Sequence, residues 1–129
     1  MIAFVPIDEI PEDAKGKAVE QADRTLWLWR VEYGDLFETQ DHIDLAILGF
    51  VPTCYLSREG YFWMVPLVES APRAALREGK EAFSALEHLC GWNTYIYTEI
   101  AKPRNRRFAE FLGYKQFADL RGLSFFRRA

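Results

Sequence analysis

The sequence contains few of the residues that build metal centres and disulfides. It has two cysteines, Cys54 and Cys90, and two histidines, His42 and His88. These four residues form neither a C-x-x-C motif nor a Cys/His set with zinc-site spacing. We therefore expect no metal site, and we interpret the cysteines as buried thiols and His42 as a turn residue.

Long apolar segments are also missing. No apolar run approaches the roughly 18 residues of a membrane helix, and the N-terminus lacks the basic, apolar and small-residue regions of a signal peptide. The expectation is a soluble, intracellular protein without membrane contact. The 129 residues are half apolar and show neither repeats nor low-complexity tracts, which predicts a single domain over residues 1–129.

Charge is unevenly distributed, although the formal net charge is only −3. Residues 1–50 hold eleven Asp and Glu against four Lys and Arg, whereas residues 101–129 hold two acids against eight bases. A pI near 5.4 argues against a dedicated nucleic-acid-binding protein. The alternative to a binding surface is that folding brings the two halves together. As an interaction surface for an acidic protein partner, the basic end offers Arg104, Arg106, Arg107, Arg127 and Arg128.

The first part of the chain predicts a strand and a helix. Ile2–Ile7 is a short apolar run interrupted by proline, which indicates a strand near a sheet edge. Apolar residues spaced by three and four from Ala18 to Tyr33 predict an amphipathic helix closed by Gly34. The alternation over Leu26–Trp29 also fits a strand, so both interpretations stay open. Asp35–Thr39 is a candidate short strand.

An antiparallel pair is predicted next. The apolar run Ile43–Val51 indicates a central strand whose pairing Pro52 ends, with Cys54–Leu56 as a candidate extension. Ser57–Gly60 is a predicted hairpin turn with its glycine at the position of positive φ. Tyr61–Val68 returns antiparallel to the central strand. Pro66 inside it cannot donate a ladder hydrogen bond and marks an edge, a bulge or a splay between strands.

The second half predicts the longest helix of the chain, with Ser70 as its cap, Pro72 in its first turn and Gly91 at its end. The strand Trp92–Ala101 follows and is rich in β-branched and aromatic residues. A short helix opened by Lys102–Pro103 and stopped by Gly113, and then a terminal hairpin of residues 114–118 and 123–127, complete the chain.

This order of elements resembles the GNAT acyltransferase fold. The most specific local match is Phe108–Tyr114, which resembles the end of that family's last helix, where an aromatic residue follows Leu-Gly. A closer resemblance is to small bacteriophage proteins of GNAT-like fold, some of them internal virion proteins of short-tailed phages. It rests on residues 44–49, 60–63, 71–89 and 107–114. The resemblance implies an α/β (α+β) domain whose central mixed sheet has about six to seven strands, flanked by about three to four helices.

The resemblance also implies a site for acetyl-CoA. GNAT enzymes hold its pyrophosphate on backbone N–H groups of a glycine-rich loop at the start of the long helix. The equivalent stretch here, residues 68–75, has no glycine and loses one donor at Pro72. Ser70, Arg73 and Arg77 are the residues left to contact the phosphates. The alternative is an ordinary helix start without cofactor.

For acid–base chemistry, the family pattern makes Glu69 the first candidate general base and Glu99 the second. The alternatives are a helix-dipole partner and a solvated strand end. The tyrosine that usually serves as general acid is replaced by Ala109, and the asparagine that often opens the same helix is replaced by Lys102. Three features of the family are thus altered together.

Two functions follow from these residues and this resemblance. The first is a phage or prophage virion protein with a degenerate acetyl-CoA site and no cofactor, which assembles with other virion proteins or a host protein. It would be found in the virion or the host cytoplasm. The second is an active acetyl-CoA-dependent N-acetyltransferase that modifies a host or phage amine. A third is a free regulatory protein that inhibits a host factor.

Overall fold

The structure, a computed structural model, describes residues 1–14, 23–34 and 42–128. Residues 12–14 of this part form a helical turn. The longer elements follow in the order β1 (Ile2–Pro6), β2 (Trp27–Gly34), β3 (His42–Cys54), β4 (Glu59–Pro66), α1 (Arg73–Cys90), β5 (Asn93–Glu99), α2 (Pro103–Phe111), β6 (Tyr114–Leu120) and β7 (Leu123–Arg128).

All seven strands form one mixed sheet in the order β1-β2-β3-β4-β5-β7-β6. Neighbours are antiparallel except β4 and β5, which α1 joins as a parallel crossover. The seven-stranded mixed sheet and the α+β class confirm the fold predicted from the sequence. β1 lies at the sheet edge and β3 lies inside the sheet, as predicted.

The helix predicted over Ala18–Tyr33 is wrong throughout its described part, because residues 23–26 are not helical and the chain forms β2 from Trp27 onward. In β2, Trp29 packs into the main core while Leu28 packs on the opposite face, which is the period of a strand. The strand reading of the alternating Leu and Trp residues is therefore the one that the sheet selects. Two further parts of these predictions, residues 18–22 and Asp35–Thr39, lie outside the described residues.

The β3–β4 hairpin departs from the prediction at its turn. The positive φ belongs to Arg58, at 53°, and not to Gly60. Gly60 lies in β4, where a Cβ atom would stand 2.4 Å from the ring of Phe50. This glycine is needed for close approach and not for its φ angle. Pro52 does not end the pairing either, because the ladder resumes at Cys54 after a register shift.

The main core fills the sheet face that α1 and α2 cover. Phe62 of β4 meets Phe83 of α1 with ring centroids 5.1 Å apart, and Ala109 of α2 is buried in the same cluster. Phe50 and Phe126, from β3 and β7, are fully buried there. The helices are thus held by apolar contacts with strands from both halves of the sheet.

A smaller core lies on the opposite face. Ile47 and Val65 pack there with Ala14 of the helical turn. Trp63 flanks them and donates its Nε1–H to the hydroxyl of Thr25 at 3.1 Å. Neither α1 nor α2 is long and apolar enough to cross a membrane.

Candidate functional site

A cleft opens in the middle of the sheet between the two parallel strands. β4 and β5 are paired only at their first residues, Glu59–Tyr61 with Asn93–Tyr95. β4 nevertheless continues to Pro66 and β5 continues to Glu99. The strands therefore diverge toward their carboxyl ends, and Pro66 stands at the end of one arm of the opening. Ligands of open α/β sheets bind outside the carboxyl ends of parallel strands, so the opening between β4 and β5 is the candidate binding site.

The amino end of α1 lies beyond β4 and carries unpaired backbone donors. The residue before the helix is Pro72, and no side chain caps the helix. The prediction that Ser70 caps it is wrong: Pro72 stands at the cap position, with φ −57° and ψ 147°, and has no hydroxyl to offer. The first helical hydrogen bond runs from the Leu76 N–H to the Pro72 carbonyl, at 3.1 Å. The N–H groups of Arg73 to Ala75 consequently have no partner within the helix.

The predicted phosphate ligands stand near this helix end. Arg73 occupies the first helical position and Arg77 the next turn, and both residues are exposed. Three backbone N–H groups, two guanidinium groups and the positive end of the helix dipole make this terminus compatible with an anion. It differs from a glycine-rich phosphate loop because the residues that precede the helix, among them Ser70 and Pro72, include no glycine. The charges of these residues thus suit a phosphate, but the segment before the helix is not a glycine-rich phosphate-binding loop.

The two candidate bases are exposed. Glu69 follows β4 and Glu99 is the last residue of β5. The Glu99 carboxylate is paired with the Lys102 ammonium group at 3.6 Å, and both side chains are about 60% exposed. Whether either carboxylate takes a proton from an amine stays a prediction.

The position at which the resemblance predicts a general acid is occupied by a buried alanine. Ala109 of α2 is 2% exposed and belongs to the main apolar cluster. The nearest tyrosine along the chain is Tyr114, whose hydroxyl donates to the buried carboxylate of Glu87. Its proton is therefore held by a buried carboxylate.

Tyrosines that the sequence reasoning did not single out stand where β4 and β5 separate. The ring centroid of Tyr61 lies 5.6 Å from that of Tyr95 and 5.1 Å from that of Tyr97. Burial raises the pKa of Tyr61 to about 12 and also raises the pKa of Tyr95. Both phenols are therefore neutral near pH 7. The spacing of Tyr95 and Tyr97 shows that they share a face, but only the parallel pairing brings Tyr61 to them.

The five arginines proposed as an interaction surface are dispersed. Arg104 and Arg107 are exposed on α2, whereas an N–H group of Arg106 lies 3.4 Å from the Ser124 hydroxyl. Arg127 and Arg128 are consecutive on β7, so their side chains lie on opposite sheet faces. The first stacks on Phe117 at 4.7 Å and lies 3.5 Å from the Glu59 carboxylate, and the second binds the Glu87 carboxylate. Whether any of them binds a partner stays a prediction.

Three solved structures similar to this chain are N-acetyltransferases. A chimera of the spermidine N-acetyltransferase SpeG from Vibrio cholerae and hSSAT shares 10% identity at a TM-score of 0.66, covering 98% of this chain and 94% of that one. The N-acetyltransferase PseH of Campylobacter jejuni, solved with acetyl coenzyme A, shares 8% identity at a TM-score of 0.63, over all of both chains. Dodecameric SpeG from Vibrio cholerae in an intermediate state shares 12% identity at a TM-score of 0.61, covering 98% and 91%. No protein-family model and no curated protein matches the sequence.

Likeness at these identities establishes the fold alone. The chain has the GNAT acetyltransferase fold, as its order of elements predicted. The acetyl-CoA bound to PseH is compatible with the cofactor expected for an active form of this chain. The finer resemblance to bacteriophage proteins stays a prediction.

Proposed function

We propose that this chain is a GNAT-fold protein with a degenerate acetyl-CoA site, and that it acts through protein–protein assembly and not through acetyl transfer. The main support for the proposal is the burial of Ala109 in the apolar core. Its methyl group is buried in the core at the position where the family's general acid would stand. The chain thus offers no proton donor there, and a larger side chain has no space at that position.

The start of α1 supports the same conclusion. Acetyl-CoA enzymes need close approach between the pyrophosphate and several consecutive N–H groups, which glycines permit. Pro72 immediately before α1 lacks an N–H group, and no glycine lies between Pro66 and Arg73. An anion that binds here depends on Arg73 and Arg77, which are mobile and solvated side chains in general. Binding of acetyl-CoA, if it occurs, is therefore expected to be weak.

The setting that we propose is a phage or prophage virion. Its support is the resemblance of residues 43–114 to small proteins of short-tailed phages, together with the lost features of the acetyl-CoA site. The partners are other virion proteins or a host protein, in the virion or the host cytoplasm. Arg104 and Arg107, exposed on α2, suit an acidic partner surface.

Particle composition tests this proposal. The chain, expressed from its own locus in the natural host, is expected to copurify with particles at constant stoichiometry after density-gradient purification. The double variant Arg104→Glu/Arg107→Glu is expected to be depleted from particles. The matched variant Arg73→Glu/Arg77→Glu, with the same change of charge at α1, is expected to be retained. Recovery of the wild-type chain only from cytosol would refute the virion assignment.

A second candidate function has one structural observation in its favour. The divergence of β4 and β5 beyond Tyr61 and Tyr95 leaves the opening in which an acyl group and an amine could meet. In this alternative Glu69 or Glu99 accepts the amine proton and Arg73 and Arg77 contact the phosphates of acetyl-CoA. Bound acetyl-CoA would supply the activated acyl group. Spermidine, the substrate in the name of SpeG, is the first amine to try.

Calorimetry separates the two candidates at the binding step. For the enzyme, acetyl-CoA is expected to bind with a micromolar Kd that Arg73→Glu abolishes and that Arg104→Glu, a matched change on α2, leaves unchanged. For the assembly protein, no heat of binding is expected at millimolar acetyl-CoA. Micromolar binding of that kind would therefore favour the enzyme over the assembly protein.

A further inference from the structure

A cluster of metal-ligating side chains lies at one end of the β2–β3 pair, away from the β4–β5 cleft. Glu32 of β2 and His42 and Asp44 of β3 each offer one ligand atom, and these three atoms lie within 4.8 Å of one another. The imidazole Nε2 of His42 is 3.2 Å from Oδ1 of Asp44 and 3.5 Å from Oε1 of Glu32. The nitrogen thus lies close to both carboxylates.

Strand register explains why these residues meet. His42 and Asp44 are two residues apart on β3 and share a face of the sheet. A register shift between Val31 and Glu32 pairs Glu32 directly with Asp44. Without this shift, continuing the register that pairs Val31 with Ala46 would place Glu32 opposite the apolar Leu45. The bulge therefore brings two carboxylates face to face. Like charges at such positions repel each other, and a nearby cation lowers that repulsion, as the Arg30 guanidinium does for Asp44.

One oxygen in the cluster lacks a partner. Oδ1 of Asp44 is buried and accepts no hydrogen bond from any described residue. The other oxygen, Oδ2, accepts from Arg30 at 2.9 Å. The His42 nitrogen lies near Oδ1 but does not complete a hydrogen bond with it. A bound ion would satisfy this oxygen, which lies close to two other ligand atoms although the Asp44 side chain as a whole is 36% exposed.

The distances suit a common ion. Two ligand atoms that each lie about 2.1 Å from a metal are about 3.0 Å apart at a right angle and about 3.4 Å apart at the tetrahedral angle. The two distances from the His42 nitrogen, 3.2 and 3.5 Å, require little adjustment. The two carboxylate oxygens lie within 4.8 Å of each other and would close to about 3.4 Å or less around an ion. One imidazole nitrogen and two carboxylate oxygens are ligands for divalent first-row metals such as Zn²⁺, and three protein ligands leave a position for water.

We infer that Glu32, His42 and Asp44 form a surface site for one divalent transition-metal ion, which fastens the end of the β2–β3 pair. This differs from the absence of metal expected from the sequence, because only the register shift brings Glu32 to His42 and Asp44. The guanidinium of Arg30 beside Asp44 repels a cation, so a moderate Kd is expected. The inference does not depend on acetyl transfer or on virion assembly.

Zinc titration tests the site directly. Calorimetry of the full chain with Zn²⁺ near neutral pH is expected to show one ion per chain with a Kd of about 10 µM or lower. His42→Ala and Glu32→Gln are each expected to weaken binding at least about tenfold. His88→Ala, which removes the other histidine, and Cys54→Ser are the matched controls and are expected to leave the Kd unchanged.

Thermal unfolding gives an independent readout. Zn²⁺ in excess is expected to raise the Tm of the wild-type chain and of His88→Ala by the same amount, and to raise that of Glu32→Gln by less. Glu32→Gln removes one of the opposed carboxylates, so its metal-free Tm is expected to equal or exceed that of the wild type. Absence of binding at millimolar Zn²⁺, binding that survives His42→Ala, or a loss of less than tenfold would each overturn the inference. A metal-free Tm that is lower for Glu32→Gln than for the wild type would also overturn it.

Discussion

The carboxylate of Glu87 on α1 and the guanidinium of Arg128 on β7 form a bidentate ion pair, with N···O distances of 2.8 and 3.0 Å. Glu87 is 8% exposed and also accepts the Tyr114 hydroxyl, while Arg128 donates to the Leu112 carbonyl at 2.9 Å. The bond to Glu87 raises the pKa of Arg128 above its ordinary value. This pair attaches the long helix to the last strand.

Removal of this carboxylate is expected to be costly. Glu87→Ala leaves a partly buried guanidinium and a buried phenol without their acceptor, so we expect the free energy of unfolding to fall by about 3 kcal/mol. Urea denaturation measures it. Glu81→Ala, an exposed carboxylate on the same helix, is the control and is expected to change it by less than about 0.5 kcal/mol. Equal effects of the two variants would show that the pair contributes nothing specific.

Two glycines are expected to respond to alanine in opposite directions. At Gly49 a Cβ would lie 2.1 Å from the Trp63 ring, so Gly49→Ala forces that ring to move and is expected to cost about 1–3 kcal/mol. At Gly79, inside α1, nothing lies within 4 Å of a Cβ, and Gly79→Ala is expected to stabilise the chain by about 0.5–1 kcal/mol. The midpoints of urea unfolding compare them. A destabilising Gly79→Ala would contradict the helix assignment or the open space beside it.

Restoring the family's tyrosine is not expected to restore chemistry. Ala109→Tyr inserts a phenol into a packed core, so the free energy of unfolding should fall by at least about 1–3 kcal/mol, with no acetyl transfer gained. Ala85→Tyr, the same substitution at an exposed position of α1, is the control and should cost less than about 1 kcal/mol. A stable Ala109→Tyr chain that transfers acetyl groups would show that only this side chain separates the protein from an enzyme.

Alkaline pH is expected to destabilise the fold partly through Tyr61. Its folded pKa of about 12 exceeds the ordinary value of 10, so the folded chain keeps a proton that the unfolded chain releases. This contribution is fully present below about pH 10 and is lost as the pH rises toward about 12. Tyr61→Phe should lessen the decline across that window by about 2–3 kcal/mol. Tyr55→Phe, at a residue that is 68% exposed, should leave it unchanged, and absorbance of the phenolate at alkaline pH should show the late titration of Tyr61 directly.

The predictable parts of this fold are those with local signals. Gly91 adopts a φ of 70° and ends α1 at the predicted residue. The start of α2 at Pro103 was also predicted from the sequence. Residues 26–29 satisfied the helical and the strand period at once, and only pairing of β2 with β1 and β3 selects the strand. Local patterns cannot decide between two periods that both fit.

The same distinction applies to the sites. The alanine at position 109, where the resemblance predicts a tyrosine, could be recognised because it lies within a short motif counted from Gly113. The group formed by Tyr61 and Tyr97, and the one formed by Glu32 and His42, depend on strand register, which a bulge changes by one residue. No spacing in the sequence contains that information.

Release of free thiol from acetyl-CoA, followed with the purified chain and a panel of primary amines, tests the central claim most directly. A degenerate site predicts a rate equal to the background without protein, for the wild type and for Arg73→Glu alike. Turnover above background that Arg73→Glu abolishes, and that the matched Arg104→Glu retains, would contradict the claim and establish the chain as an acetyltransferase.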